Sequence, residues 1–418
     1  MFVRKARPLA AALFAGLLLG TLPAAPALAQ KKEAKAPQMK LSKGVQAALA
    51  EAQKAQQAGD FQGSLAFIAQ ANAVENKTPD DNYVIGLLTI NAGATLKDNK
   101  LIKTGIDQAL ASGKTSAEQQ ATFVKTLGSI AIQANDYATA MSEFERYLQL
   151  NPNDADVIAE MAELYRRQKQ NDKAVQMLMR AIEVKEKNTG AKADEGWYRR
   201  AVAIAYESNL TAQMPAVSIA LVKAYPNPTN WRDILLIFRE TNKLDDQTNL
   251  DALRLQMAAG ALSGERDYYE YADLASSRGL PGEAKKVIDA GIAAGALNPS
   301  KQVVKELNTA VSGRIASDKA SLSAAEKEAR AAANGRSALG TGDAFYGYAM
   351  YDKAIEMFRL ALQKGGIDAA VANTRLGMSY AKVKDVPNAD IAFDSVTTQP
   401  RATLAKYWKT WTDMNAAK

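Results

Sequence analysis

Asn135-Asp136-Tyr137-Ala138-Thr139-Ala140 and Gln170-Asn171-Asp172-Lys173-Ala174 share one register, with Ala140 and Ala174 lying 34 residues apart. In both, a polar turn leads into a helix that offers a small residue where two helices cross. Phe144 and Leu178 follow four residues later, and Ala181 takes the next small position. Leu150-Asn151-Pro152-Asn153 then closes the earlier unit with a proline that cannot continue a helix. The pattern returns near the C-terminus. Within Tyr351 to Leu362, Ala354, Phe358 and Ala361 are small, aromatic and small, and Ala389 and Phe393 repeat this 35 residues on. Between them, Leu376-Gly377-Met378-Ser379-Tyr380-Ala381 reads as a first helix, with a small contact residue followed three positions later by an aromatic. Ala162 and Tyr165 do the same upstream. A repeat of this length is one helix pair that cannot bury its apolar face alone, so it decides the architecture before any single element does.

Over residues 117–187 and 336–398 the sequence resembles the tetratricopeptide-repeat superfamily. The resemblance implies an all-α fold, a right-handed α-solenoid of tetratricopeptide-like antiparallel helix pairs. Degenerate pairs are read at 44–75 around Gly59-Asp60-Phe61, at 80–112 around Lys97-Asp98-Asn99, and at 195–225. Two more are Trp231 to Thr241 with Leu250 to Gly260, and Asp267 to Arg278 with Pro281 to Ala294, giving eight or nine pairs in all. Residues 44–299 are thus an N-terminal and central array, 335–400 a C-terminal set of pairs, and 401–418 a capping helix and tail. Residues 300–334 are one long or one broken connecting helix. Val303, Val304, Leu307 and Val311 mark a stripe there, while Ser323 with Glu326 forms a capping box that could start a second helix. The run Ala329 to Arg336 leading into Gly340-Thr341-Gly342-Asp343, with the closing Trp408 and Trp411 helix, is similar to exported tetratricopeptide-repeat proteins of alphaproteobacteria. That group has no defined activity, so the resemblance implies fold and compartment and no chemistry.

Composition agrees with a helical array. Hydrophobic residues are 47% of the chain, many of them alanine, and aromatics only 7%; alanine has the best helix propensity and allows close helix packing. The 418 residues contain no histidine and no cysteine. Histidine-based acid–base chemistry, thiol nucleophiles, zinc sites of Cys and His, and disulfides are therefore excluded. No phosphate loop or dinucleotide fingerprint occurs, since no strand precedes Gly340-Thr341-Gly342. Glu207-Ser208 with Ala212-Gln213-Met214-Pro215 faintly resembles a lytic-transglycosylase signature, but the spacing is too short and no catalytic domain accompanies it. The chain is read as a non-enzyme without metal or cofactor.

The N-terminus reads as a signal peptide over residues 1–29. Arg4, Lys5 and Arg7 precede an apolar run from Leu9 to Leu22, and Ala27-Leu28-Ala29 predicts cleavage before Gln30 and a periplasmic mature protein. A Lys-rich flexible linker over 30–43 follows. The formal net charge is +7, of which the leader holds +3 and the linker +4, so the body from Gly44 onward is formally neutral. Nucleic acid is not an expected partner on this ground. After leader removal no integral membrane segment is expected.

A solenoid presents the first helices of its units along a concave face, where a partner lies. In the first array the outward positions are read as Lys125, Ser129, Glu160, Glu163, Arg166 and Arg167. In the last they are Arg336, Asp343, Tyr346, Thr374, Arg375 and Lys382. Trp197-Tyr198-Arg199-Arg200 offers a further aromatic and guanidinium cluster. With Val202 and Tyr206 continuing the stripe, Tyr198 is expected buried, and Arg199 or Arg200 exposed. The chaperone-binding subfamily clamps a carboxylate with Lys and Asn, and Ala159 and Glu163 stand at two of those positions. The leading reading is an exported scaffold or adaptor that binds a protein or extended peptide. The competing reading is a carbohydrate or peptidoglycan binder, which needs Trp197, Trp231 and the C-terminal aromatics exposed in one cleft.

Overall fold

The computed structural model describes residues 39–416, which form two compact units divided after Asn188. The expected leader and most of the linker lie outside the described residues. Among the described residues there are twenty helices and no strand.

The first unit holds four pairs: α1 (Lys43–Gln57) with α2 (Phe61–Ala73), α3 (Pro79–Leu96) with α4 (Asn99–Ala111), α5 (Ala117–Gln133) with α6 (Tyr137–Leu150), and α7 (Ala155–Arg167) with α8 (Asn171–Thr189). The second opens with α9 (Glu195–Glu207), α10 (Met214–Ala224), α11 (Pro228–Thr241) and α12 (Asp246–Ala258). It continues through α13 (Gly264–Ser277), α14 (Pro281–Ala293), α15 (Gln302–Ala331), α16 (Arg336–Gly347) and α17 (Tyr351–Lys364). It ends with α18 (Ala369–Lys382), α19 (Val386–Asp394) and α20 (Arg401–Asn415).

One turn recurs within the pairs and explains the repeat. A residue in the left-handed conformation closes the first helix, at Gly59, Lys97, Asn135, Lys169, Asn209, Gly279, Ala349 and Lys384. The next backbone N–H then donates back to the carbonyl five residues earlier, as Asp136 does to Ala131 at 2.9 Å and Asp385 to Tyr380 at 3.0 Å. Where that next residue is aspartate, its carboxylate caps the second helix: Asp60 accepts from Gly63, Asp98 from Leu101 and Asp136 from Thr139. The same register sets the packing. A Cβ added at Gly128, Gly342 or Gly377 would stand 2.5, 2.6 and 2.6 Å from the rings of Phe144, Phe358 and Phe393. Each of these glycines therefore admits an aromatic residue of the second helix sixteen positions on.

Ala349 is the one turn residue of the set with a short apolar side chain and no capping function, at φ 59°. Left-handed backbone costs such a residue roughly 1–2 kcal/mol, and glycine there gives back roughly 0.5–1 kcal/mol as unfolded-state entropy. Ala349→Gly is expected to stabilise the protein by about 0.5–1 kcal/mol, read as a higher urea midpoint at unchanged slope. A lower midpoint would remove strain as the account of this turn.

The register is skipped twice. Asn209, Gly279 and Ala349 are two periods apart, and each interval lacks its middle turn. Between α11 and α12 the chain passes through extended Asn242 instead, at φ −112° and ψ 136°. The other skip is α15, a single 30-residue helix. Ser323 and Glu326 lie inside it and start no new helix, which settles the two readings of 300–334 in favour of one.

The first skip has the larger effect, because α12 leaves the stack and becomes the core of the second unit. Every residue from Leu250 to Gln256 is buried, so this helix is enclosed on all faces. The late helices pack back onto it. Trp408 of α20 is fully buried and its indole N–H donates to the Asp251 carbonyl at 3.1 Å. Tyr407 meets Phe238 of α11 edge-on, with ring centroids 5.9 Å apart. The C-terminal helix is thus an internal element of this unit as well as its last one.

Candidate functional site

In the first unit the expected outward residues remain at the surface. Lys125 of α5 pairs with Asp154 at 2.8 Å, and Asp154 also accepts from the Tyr147 hydroxyl at 2.7 Å. Burial would raise the Asp154 carboxyl, but the Lys125 and Tyr147 hydrogen bonds bring it below the ordinary range. Ser129 is half-buried and donates to the Lys125 carbonyl at 3.1 Å. Glu160 is exposed on α7, yet the surrounding protein displaces enough water to raise its carboxyl, opposed by Lys125. Glu163 pairs with Arg166 at 2.8 Å and Arg167 at 3.2 Å, and Arg167 also lies over the Tyr137 ring at 5.1 Å. The face is a lattice of exchangeable surface pairs. Such pairs contribute little to stability and are free to be re-partnered by a ligand.

The second unit is different. Arg199 and Arg200 are exposed and Tyr198 buried, in line with the sequence reading. Arg199 bridges to Asn230 at 3.0 Å and to Asp233 at 2.9 Å on α11. Tyr206 departs from the expected stripe and is 39% exposed. Arg336 is exposed beside the α17–α18 turn, its guanidinium reaching the Gly366 carbonyl at 3.4 Å.

Asp343, Tyr346, Thr374 and Arg375 do not present an outward surface. Tyr346, Thr374 and Arg375 are buried, and Asp343 turns into the same interior. The physical reason is α12: the face that an open array would leave to solvent is here covered by the unit's own helix. Lys382 is the residue of this group that keeps partial access to solvent on the inner face.

What these residues meet is a buried ion network. Asp251 accepts from Arg254 at 2.9 Å, from Arg375 at 3.2 Å and from Arg401 at 2.5 Å. Arg254 makes a bidentate pair with Glu283 at 2.7 and 2.6 Å, and Tyr271 donates to the same carboxylate at 2.7 Å. Arg375 continues to Asp343 at 2.5 Å, and Arg401 to the Thr248 hydroxyl at 2.9 Å. The Arg254 guanidinium lies over the Tyr346 ring, 4.8 Å from its centroid. Three arginines thus balance three carboxylates. Burial alone would raise the Asp251 carboxyl, but Arg375, Arg401 and Arg254 together hold it down to about 2. Asp343 goes the other way, raised by burial beside Asp251 and Glu283 despite its arginines.

Sequence reasoning missed Asp251, Arg254, Glu283 and Arg401. The available signal was α12 itself, where Leu250, Leu253, Leu255 and Met257 spread apolar residues around the helix instead of along one stripe.

Residues 131–193 match the family model described as tetratricopeptide repeat. Those residues are a tetratricopeptide repeat by that match, and the chain as a whole is an all-α helical-repeat protein, a class that presents extended surfaces for binding other proteins. No curated protein matches the chain. Among solved structures, a tetratricopeptide repeat protein from Parabacteroides merdae is 10% identical, covering 71% of this chain and 100% of its own, with a TM-score of 0.25. MamA from Desulfovibrio magneticus RS-1 is 14% identical over 44% of this chain and 99% of its own, with a TM-score of 0.29. Pseudomonas aeruginosa pilF is 17% identical over 44% and 93%, with a TM-score of 0.21.

Proposed function

We propose that this chain is an exported scaffold that holds a protein or extended peptide on the first-helix face of its first unit. The observation that carries the reading is the contrast between the units. On α5 and α7 the charged residues sit at the surface in exchangeable pairs, whereas the corresponding positions of α16 and α18 are occupied by α12. Lys125, Arg166 and Arg167 alternate there with Glu160 and Glu163, which suits an extended segment of mixed charge. The carbohydrate reading has less support. Trp231 and Trp408 are buried and Trp197 and Trp411 half-buried, so the tryptophans offer no shared open stacking platform.

Export rests on the leader sequence. N-terminal sequencing of the protein from an envelope fraction is expected to begin at Gln30. For binding, cross-linked partners captured by the wild-type chain are expected to be lost from Lys125→Glu/Arg166→Glu/Arg167→Glu, with affinity reduced about tenfold or more. The same capture through Arg336→Glu is expected to be unchanged. Equal capture by both variants would remove this face from the reading.

A further inference from the structure

The second unit contains a cavity of about 270 Å³ beside the ion network, lined from α12, α13, α14, α16, α17 and α18. Met257, Val287, Tyr346 and Tyr351 wall it, and Lys286 and Lys382 stand at it. The charge balance around this space is uneven. Arg254 and Glu283 also line it, but they are neutralised by each other within the network. Neither lysine forms an ion pair with any described residue, and Lys382 is held only over the Trp411 ring, 5.1 Å from its centroid. Tyr346 is 8% exposed and its hydroxyl has no hydrogen-bond partner among the described residues. A partly open recess with the exposed Lys286 at its mouth, the half-buried Lys382 beside it and a free phenol donor is organised for a ligand that supplies acceptors and negative charge.

We infer that this cavity is a binding site for a small organic dianion, a dicarboxylate or a phosphate monoester, held between Lys286 and Lys382 with its body against Tyr346, Tyr351 and Val287. Two like charges brought together without a counterion destabilise the unliganded protein, and burial with Lys286 alongside holds the Lys382 ammonium down to about 8. A bound dianion removes that repulsion, so ligand binding and folding stability are linked. The site belongs to the second unit alone and does not depend on the scaffold reading.

The test is thermal unfolding and calorimetric titration of the full chain with succinate, phenyl phosphate and inorganic phosphate, each against sodium chloride of equal ionic strength. At least one organic dianion is expected to raise the melting temperature and to bind at one site per chain. Succinate and phenyl phosphate decide between the two ligand sources, and a response to inorganic phosphate alone would overturn the part played by the apolar wall. Lys286→Ala and Lys382→Met are each expected to weaken binding about tenfold. Lys382→Met is also expected to raise the melting temperature of the unliganded protein, a readout that shows the variant folds. Lys319→Ala, which removes a lysine that does not line the cavity, is expected to bind as the wild type does. No dianion effect beyond chloride, or the same effect in the Lys286→Ala and Lys382→Met variants, would overturn the site.

Discussion

Asp251→Asn is expected to lower the unfolding free energy by about 3–5 kcal/mol, the range for removing one member of a buried ion cluster. The substitution preserves shape, so the loss isolates charge. With Asp251 neutral, Arg254, Arg375 and Arg401 would face only Glu283 and Asp343, and one buried guanidinium would be left uncompensated. Urea denaturation of Asp251→Asn, Arg401→Met and the double variant measures the coupling directly. A double variant little worse than Asp251→Asn alone is the expected pattern, since Arg401 then keeps only the exposed Asp245, 4.0 Å away, as a carboxylate to lose. Additive losses would mean that the three arginines are held independently.

The acid limb of the stability curve carries the same signature. The folded Asp251 carboxyl lies near 2, below its ordinary 3.8. A depressed folded value stabilises fully above the unfolded pKa and loses that stabilisation as pH falls through the folded one. Wild-type stability should therefore hold to about pH 4 and decline toward pH 2, with Asp251→Asn showing a shallower decline over that interval. Asp343, whose carboxyl is raised, contributes with the opposite sign and partly offsets the slope.

Trp408→Ala is expected to cost about 3–5 kcal/mol, as truncation of a fully buried large aromatic does. Two losses combine. The indole fills space against α12 and stands edge-on to Trp411 with centroids 5.7 Å apart, and its N–H adds a hydrogen bond to the Asp251 carbonyl. Trp408→Phe separates them by keeping most of the packing while removing the indole N–H donated to a carbonyl that keeps its bond within α12, at about 0.5–1.5 kcal/mol. Guanidinium denaturation followed by far-ultraviolet dichroism reads both variants. A loss below about 1 kcal/mol for Trp408→Ala would mean that α20 only covers an end.

The repeat was legible because its physics is local. Gly377 with Phe393, or Asn135 before Asp136, can be read from a few dozen residues, and the structure places each pair as the period requires. The exposed pairs of α5 and α7 were legible for the same reason. Arg375 was not. Its position on α18 is the outward one by register, and only the return of α12, more than a hundred residues earlier in the chain, turns that position inward. A charged residue at an exposed register reads as surface unless the sequence also shows what covers it. Here the cover is a helix whose own signal, apolar residues on every side with Asp251 and Arg254 among them, was read as a weak member of the repeat. Lys286 and Lys382 were hidden by the same step, because a cavity lined from six helices has no signature in any one of them.

The enclosure of α12 also has a consequence in time. Open arrays of this kind can gain structure one pair after another, each new pair completing its neighbour. In the second unit, Asp251 is joined to Arg375, Arg401 and Trp408, 124, 150 and 157 positions further along. Contacts of such separation form late and slow the approach to the native state. During synthesis the first unit can therefore be complete while α12 still waits with a buried-type sequence exposed, and the second unit closes only when α20 arrives.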